Sequence, residues 1–110
     1  MGKKLKVDGD YIKDGSRKVA KIKRDCIYEG NSTSSSNLLA YMRNDKFYSK
    51  KVASSSYCIG MIKNGYIYND DSSSSRNRIG KFRDAERVID GRCSDEVLGA
   101  VYLLMERGDL

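Results

Sequence analysis

The feature that most limits the fold of this chain is a β-hairpin signal that recurs every 20 residues. Asn64-Gly65 is its strongest form, because both central residues of a type I′ turn need positive φ and apolar or aromatic residues flank this pair. Similar units begin at positions 19, 39, 59 and 79, and such a fixed period is typical of repeat architectures. The sequence therefore predicts a mainly β protein made of four hairpin repeats of 20 residues. The predicted repeats are 19–38, 39–58, 59–78 and 79–92.

The turn signals also predict which residues face each other across each hairpin. A two-residue turn fixes the register of its two strands, and in the predicted registers each central pair is apolar on both sides. In the fourth unit the longer turn Asp84-Ala85-Glu86 would bring Phe82 opposite Val88 and Lys81 opposite Ile89. The other turns are Arg24-Asp25, Asn44-Asp45 and Asn64-Gly65. The predicted core pairs are Ile22 with Ile27, Met42 with Phe47 and Ile62 with Ile67.

A small residue stands two positions before the first core residue of every unit. Glycine inside a strand is destabilising and often marks a close approach of two backbones. We therefore expect the four hairpins to converge on a common axis in a pseudo-fourfold arrangement, with these residues innermost. A larger side chain at Gly60 or Gly80 should then clash. The four small residues are Ala20, Ala40, Gly60 and Gly80.

Two further segments flank the repeats within a single predicted domain, 1–110. Residues 3–14 form a shortened hairpin in which a turn at Gly9-Asp10 pairs Val7 with Ile12; it is either a fifth unit or an edge piece that pairs with the last one. Residues 94–107 form a C-terminal α-helix, because Ser94 is a capping residue and an apolar stripe at helical spacing follows it. Serine-rich loops connect the hairpins.

The charge of the chain is concentrated in its first half. The net charge is +6, and residues 1–51 hold 13 Lys and Arg against 6 Asp and Glu, whereas residues 52–110 hold 8 against 9. A basic half can attract nucleic acid or anionic lipid, and it also keeps a small domain soluble.

The cysteines and the absence of apolar runs indicate a cytoplasmic protein with no membrane partner. An odd count of three cysteines without a CxxC pair is not typical of a disulfide framework, so we expect free thiols in a reducing compartment. No signal-peptide pattern follows Met1, and no stretch is long enough to span a bilayer. Cys26, at the repeat position of Lys46 and Tyr66, is predicted to be a half-exposed strand residue.

The sequence lacks the usual chemistry of an active site. It has no histidine, which removes the common catalytic dyads and most zinc sites. It has no phosphate-binding loop and no dinucleotide fingerprint. The prediction is therefore a non-enzymatic protein with no catalytic residue, no cofactor and no metal site.

A row of tyrosines provides the one candidate binding surface. Tyr28, Tyr48 and Tyr68 share a repeat position. In one interpretation they pack against the opposite strand and keep their hydroxyl groups in solvent. In the other they form a ring of aromatics and cations that suits stacked bases or an anionic ligand. The candidate residues are Tyr28, Tyr41, Tyr48, Tyr68, Lys21, Met61 and Lys81.

These observations favour a binding or protein-interaction module, with another protein or a second copy of the chain as partner. The alternative is sequence-tolerant nucleic-acid binding through the basic N-terminal half and the tyrosine-bearing face. Four units followed by a C-terminal helix (VAKIKRDCIY, LAYMRNDKFY, IGMIKNGYIY and IGKFRDAERVI) resemble the four-fold β-flower domain, a small bacterial family, over about residues 19–107. The resemblance implies a pseudo-fourfold arrangement of hairpins in a bacterial protein, and it supplies no catalytic residues.

Overall fold

The computed structural model describes residues 5–110, so residues 3 and 4 of the predicted first hairpin lie outside the described part. Over residues 5–110 the protein is mainly β, with a ten-stranded sheet and two α-helices, α1 and α2. The strands are β1 Leu5–Asp8, β2 Tyr11–Asp14, β3 Arg17–Lys23, β4 Cys26–Glu29, β5 Leu38–Arg43, β6 Lys46–Tyr48, β7 Cys58–Lys63, β8 Tyr66–Asn69, β9 Arg78–Lys81 and β10 Ile89–Asp90. The helices are α1 Phe82–Val88 and α2 Asp95–Arg107.

Strands β1 to β9 form an antiparallel meander in chain order, and its registers match the sequence predictions. Val7 pairs with Ile12 in the first hairpin. The turn residues Asn44, Asn64 and Gly65 have positive φ, as the hairpin turns require. The three predicted core pairs are all present: Ile22 with Ile27, Met42 with Phe47 and Ile62 with Ile67.

The fourth predicted hairpin, 79–92, is wrong. Strand β9 runs directly into helix α1, so Phe82 and Val88 are the two ends of a helix and do not face each other across a turn. The carboxylate of Asp84 accepts a hydrogen bond from the Lys81 backbone N–H at 3.0 Å and caps the helix. The predicted pair of Lys81 with Ile89 is also absent. Lys81 pairs with Tyr66, and Ile89 pairs with Leu5.

The short connection through α1 shows that the sheet is strongly curled. Strand β10 pairs in parallel with β1, at the opposite edge of the sheet from β9. Ten strands laid flat at a spacing of about 4.8 Å would separate the two edges by about 43 Å. The seven residues of α1 cover only about 10 Å. The two edges must therefore approach each other, and the first hairpin is the edge piece that pairs with the last unit.

Irregularities at repeated positions supply the bend. The register shifts by one residue wherever the second strand of a hairpin pairs with the first strand of the next, because one residue of that first strand is left without a partner in the ladder. Such bulges bend a strand and increase its twist. The shifts lie at Ile12/Lys13, Ile27/Tyr28, Phe47/Tyr48 and Ile67/Tyr68. The three serine-rich loops repeat as well, because each ends in one 3₁₀ turn before the next strand. These turns are Ser35–Asn37, Ser55–Tyr57 and Ser75–Asn77.

Helix α2 packs on the apolar face of the curled sheet and completes the core. Ser94 caps its start by accepting a hydrogen bond from the Val97 N–H, and Gly108 ends it with a φ of 85°, as the sequence predicts. The middle of the helix is buried on most sides. Its buried residues are Leu98, Gly99, Ala100, Val101, Leu103 and Leu104.

The small strand residues are needed where α2 crosses the sheet. A Cβ atom at Gly60 would lie 2.5 Å from Leu103 Cδ2, and one at Gly80 would lie 2.9 Å from the Tyr102 hydroxyl. Both distances are below ordinary van der Waals contact. At Gly60 a backbone atom, the Tyr68 oxygen, also lies at 2.6 Å, so the predicted clash is confirmed there, whereas at Gly80 only the far end of the Tyr102 side chain would have to shift. The partner of the clash differs from the prediction, because these glycines receive side chains of α2 rather than one another.

Candidate functional site

The outer face of the sheet, defined as the face turned away from α2, carries the predicted tyrosine row. Side chains alternate along a strand, so residues next to core residues point to this face. Directly opposed pairs bring six of the seven candidates together; the seventh, Lys81, lies on β9 opposite Tyr66. The six are paired as Lys21 with Tyr28, Tyr41 with Tyr48, and Met61 with Tyr68.

The three repeat tyrosines are buried. Tyr28, Tyr48 and Tyr68 are 7%, 7% and 6% exposed, yet none belongs to the main core cluster under α2. They therefore form a second, thinner apolar layer on the outer face. The rings of Tyr41 and Tyr48 pack at 6.1 Å between centroids with a tilt of 43°, which is within the range of favourable aromatic pairs.

The connecting loops contribute to the cover of this layer. Thr33 and Lys51, from two different loops, line one pocket together with Tyr28. In the next loop, Asp71 Oδ1 accepts a hydrogen bond of 2.8 Å from Lys46 Nζ on β6. The serine-rich segments are thus connections that return to the outer face of the sheet.

The Lys46–Asp71 ion pair shifts the pKa values of both of its members. The hydrogen bond from Lys46 lowers the pKa of Asp71, and the same bond raises the pKa of Lys46. Cys58 lies beside this pair and donates to the Gly60 carbonyl at 3.3 Å. Burial raises the pKa of the Cys58 thiol, so it is held as a neutral, weakly nucleophilic group.

Cations lie against half-exposed rings at both ends of the outer face. Near its first edge, Lys18 Nζ and Lys21 Nζ lie 4.1 and 5.6 Å from the Tyr11 ring centroid. Near the other edge, Arg78 Cζ lies 4.6 Å and Lys81 Nζ 5.8 Å from the Tyr66 centroid. These distances are typical of cation–π contacts.

The sequence analysis selected neither of these two rings. Tyr11 and Tyr66 do not share the repeat position of the other tyrosines, so the repeat pattern gave no reason to select them. The available signal was register: a residue on the second strand of one hairpin pairs with the first strand of the next. That register places Tyr11 opposite Lys21 and Tyr66 opposite Lys81.

The observed burial of Cys26 corrects a further prediction. It was predicted to be half-exposed, and it is 1% exposed. It lies opposite Lys23 and Tyr41 on the outer face, in the same buried layer as the repeat tyrosines. All three cysteines have free thiols.

Among residues 5–110, no three side chains of the metal-ligating types gather in one place. Neither described helix combines the length and the apolar character that crossing a membrane requires. Comparisons with protein-family models, with curated proteins and with solved structures found no match to this chain.

Proposed function

We propose that this protein is a non-enzymatic binding module that uses the outer face of the sheet to hold an acidic segment of a protein partner. The observation that carries the proposal is the set of cations fixed against tyrosine rings at both ends of that face. A cation that is already ordered loses less side-chain entropy when it binds an anion, and such preorganisation favours affinity.

These cations are available to a partner. Within the described residues, Lys21, Arg78 and Lys81 have no carboxylate within ion-pair distance. A contact with Tyr11 or Tyr66 leaves a cation with its full charge, so the ring positions the cation without neutralising it. An acidic segment laid across the sheet would meet positive charge near both edges.

The burial and the contacts of the aromatic rings favour a protein partner over a nucleic acid. Sequence-tolerant binding of single strands needs exposed rings on which bases stack. Tyr28, Tyr48 and Tyr68 are buried, and the half-exposed ring of Tyr41 packs against Tyr48. Tyr11 and Tyr66 already have cations over their rings. The remaining attraction to a nucleic acid is electrostatic, and an acidic peptide supplies the same charge without the need to stack.

The proposal also includes the arrangement of the hairpins. We infer that the hairpins are related by a pseudo-fourfold arrangement like that of the four-fold β-flower domains, in a bacterial, cytoplasmic protein. The 20-residue spacing and the matched registers of three successive hairpins support the arrangement. Three free thiols are consistent with a reducing compartment.

The proposal predicts that a fluorescein-labelled glutamate 12-mer binds more tightly than a labelled thymidine 12-mer of the same length. Affinity for the peptide should fall as salt rises, because the contacts lie on the surface. The variants Lys21→Gln and Lys81→Gln should each weaken peptide binding by up to about fivefold, the upper range for one exposed charge contact. Fluorescence anisotropy at two salt concentrations measures all of these quantities.

Arg107→Gln is the charge control: it also removes one positive charge, but from the end of α2, outside the sheet, where Arg107 is paired with Asp109. It should leave peptide affinity nearly unchanged. No binding of the peptide at low salt would overturn the proposal. Tighter binding of the thymidine 12-mer would establish nucleic-acid binding in its place.

A further inference from the structure

A small cationic pocket lies at the turn end of the first 20-residue unit. We define the cationic pocket by the five residues that line it, and its volume is about 200 Å³. Three of the five carry a positive charge, two carry a hydroxyl group, and no carboxylate lines the pocket. These residues are Lys23, Arg24, Tyr28, Thr33 and Lys51.

The fold brings these side chains together from five separate elements. Lys23 is the last residue of β3, Arg24 is in the hairpin turn and Tyr28 is on β4. Thr33 and Lys51 come from the loops that follow two successive hairpins. Lys23, Arg24 and Lys51 have no carboxylate within ion-pair distance in the described part of the chain. Three unneutralised cations therefore converge on one small volume.

The equivalent positions 20 residues later show that the repeat does not require this charge. Lys23 corresponds to Arg43, which keeps the charge. Arg24, however, corresponds to Asn44, Thr33 to Ala53 and Lys51 to Asp71. Asp71 binds Lys46 there. The second hairpin thus has the same buried tyrosine but one cation where the first has three, with a carboxylate at the position of Lys51. The repeat therefore does not require this concentration of positive charge around the first hairpin.

Arginine at position 24 is also unfavourable for the backbone. Its φ is 55°, and the residues that occupy this turn position in the next two units are Asn44 and Asn64. Asparagine adopts positive φ more readily than other non-glycine residues. The first unit therefore holds a less suitable turn residue at a place where its guanidinium group reaches the pocket.

We propose that the cationic pocket binds a phosphate dianion, either free inorganic phosphate or the phosphate of a small monoester. Arg24, Lys23 and Lys51 would supply charge-assisted hydrogen bonds, the strongest class for a phosphate oxygen. Thr33 would add a neutral hydroxyl donor. The inference does not depend on the proposed function, because a phosphate can occupy this pocket whether or not an acidic peptide binds the outer face.

Tyr28 can act as a further donor at neutral pH. Burial raises the pKa of its phenol, and the nearby Cys26 raises it further, whereas Arg24 lowers it. The phenol therefore stays protonated and keeps the hydrogen that it would donate. A carboxylate at this position would repel an anion.

The test is a titration of ¹⁵N-labelled protein with sodium phosphate, followed by amide chemical shifts, against sodium chloride of matched ionic strength. At about pH 7.5 a phosphate monoester is mostly a dianion. We expect saturable shifts confined to residues near 23–28, 33 and 51. A parallel titration with O-phosphoserine distinguishes the two sources, because tighter binding of phosphoserine would assign the pocket to a monoester and tighter binding of phosphate to the free ion.

Variants taken from the second unit provide the decisive comparison. Arg24→Asn and Lys51→Asp place the residues of the equivalent positions at exposed sites, so the fold should persist. Each should weaken phosphate binding by about tenfold or more, the effect of one charge-assisted hydrogen bond. Lys63→Gln is the control, since Lys63 holds the position of Lys23 in the third unit, and it should change nothing. Absence of saturation with both phosphate and phosphoserine, or equal losses in Lys63→Gln and Lys51→Asp, would overturn the proposal.

Discussion

Replacing Phe47 with alanine should lower the free energy of unfolding by about 3–5 kcal/mol, the usual cost of removing a buried aromatic ring. Phe47 is fully buried and lies between Met42 and Gly60 in the sheet. Its ring also reaches α2, because a Cβ atom at Gly99 would lie 3.2 Å from Phe47 Cζ. The change would leave a cavity where the sheet meets the helix. Denaturation with urea, followed by far-ultraviolet circular dichroism, measures the loss.

Phe47→Leu is the matched control for this prediction. It keeps most of the apolar volume, and swaps of similar volume in a core usually cost less than about 1.5 kcal/mol. If alanine at position 47 were as well tolerated as leucine, the ring would not fill the contact between β6 and α2.

Replacing Gly60 with valine should cost about 1–3 kcal/mol or more, because inserted atoms overpack a well-filled core. A Cβ atom there meets Leu103 Cδ2 at 2.5 Å and the backbone oxygen of Tyr68 at 2.6 Å. The leucine side chain can rotate, whereas the Tyr68 carbonyl is held on β8. The valine branch adds further atoms to the same space. Urea denaturation again gives the change in stability.

The equivalent position in the second unit supplies the comparison. Ala40 is fully buried and already carries a Cβ atom, so that place has room for one. Ala40→Gly should cost only about 0.5–1 kcal/mol, the entropic penalty of glycine in a strand. A Gly60→Val protein as stable as the unmodified chain would show that α2 does not cross the sheet at this point.

The hairpin registers could be predicted from the sequence because local chemistry fixes them. Asn44 and Asn64 specify two-residue turns, and such a turn sets every pair on its two strands. Side-chain alternation then assigns one face of each strand to the core. Neither step needs information from distant parts of the chain, so Met42 with Phe47 and Ile62 with Ile67 follow directly.

The hairpin prediction for the fourth unit was wrong because its turn signal was weak. Asp84-Ala85-Glu86 has no glycine or asparagine to adopt positive φ, and alanine and glutamate are good helix formers. Asp84 also stands where a capping carboxylate bonds the Lys81 N–H. Contact between α1 and α2 further stabilises the helix. The repeat period alone suggested a hairpin, and local helix chemistry outweighed it.

The pairing of β1 with β10 and the burial of the tyrosines depend on long-range contacts. Leu5 and Ile89 are far apart in the chain, and no local pattern joins them. The tyrosine row was found from its repeat position, but its burial comes from the fold around it. For the same reason the cationic pocket, which joins Arg24 to Lys51 across a hairpin, was not predicted.

The central claim is that a curled sheet of hairpins receives α2 at its small residues, and nuclear Overhauser contacts test it most directly. In isotopically labelled protein, the Gly60 Hα protons should show contacts with the Leu103 methyl groups, and the Gly80 Hα protons with the Tyr102 ring. Hairpin contacts without either of these signals would contradict the account, because the helix would then pack elsewhere.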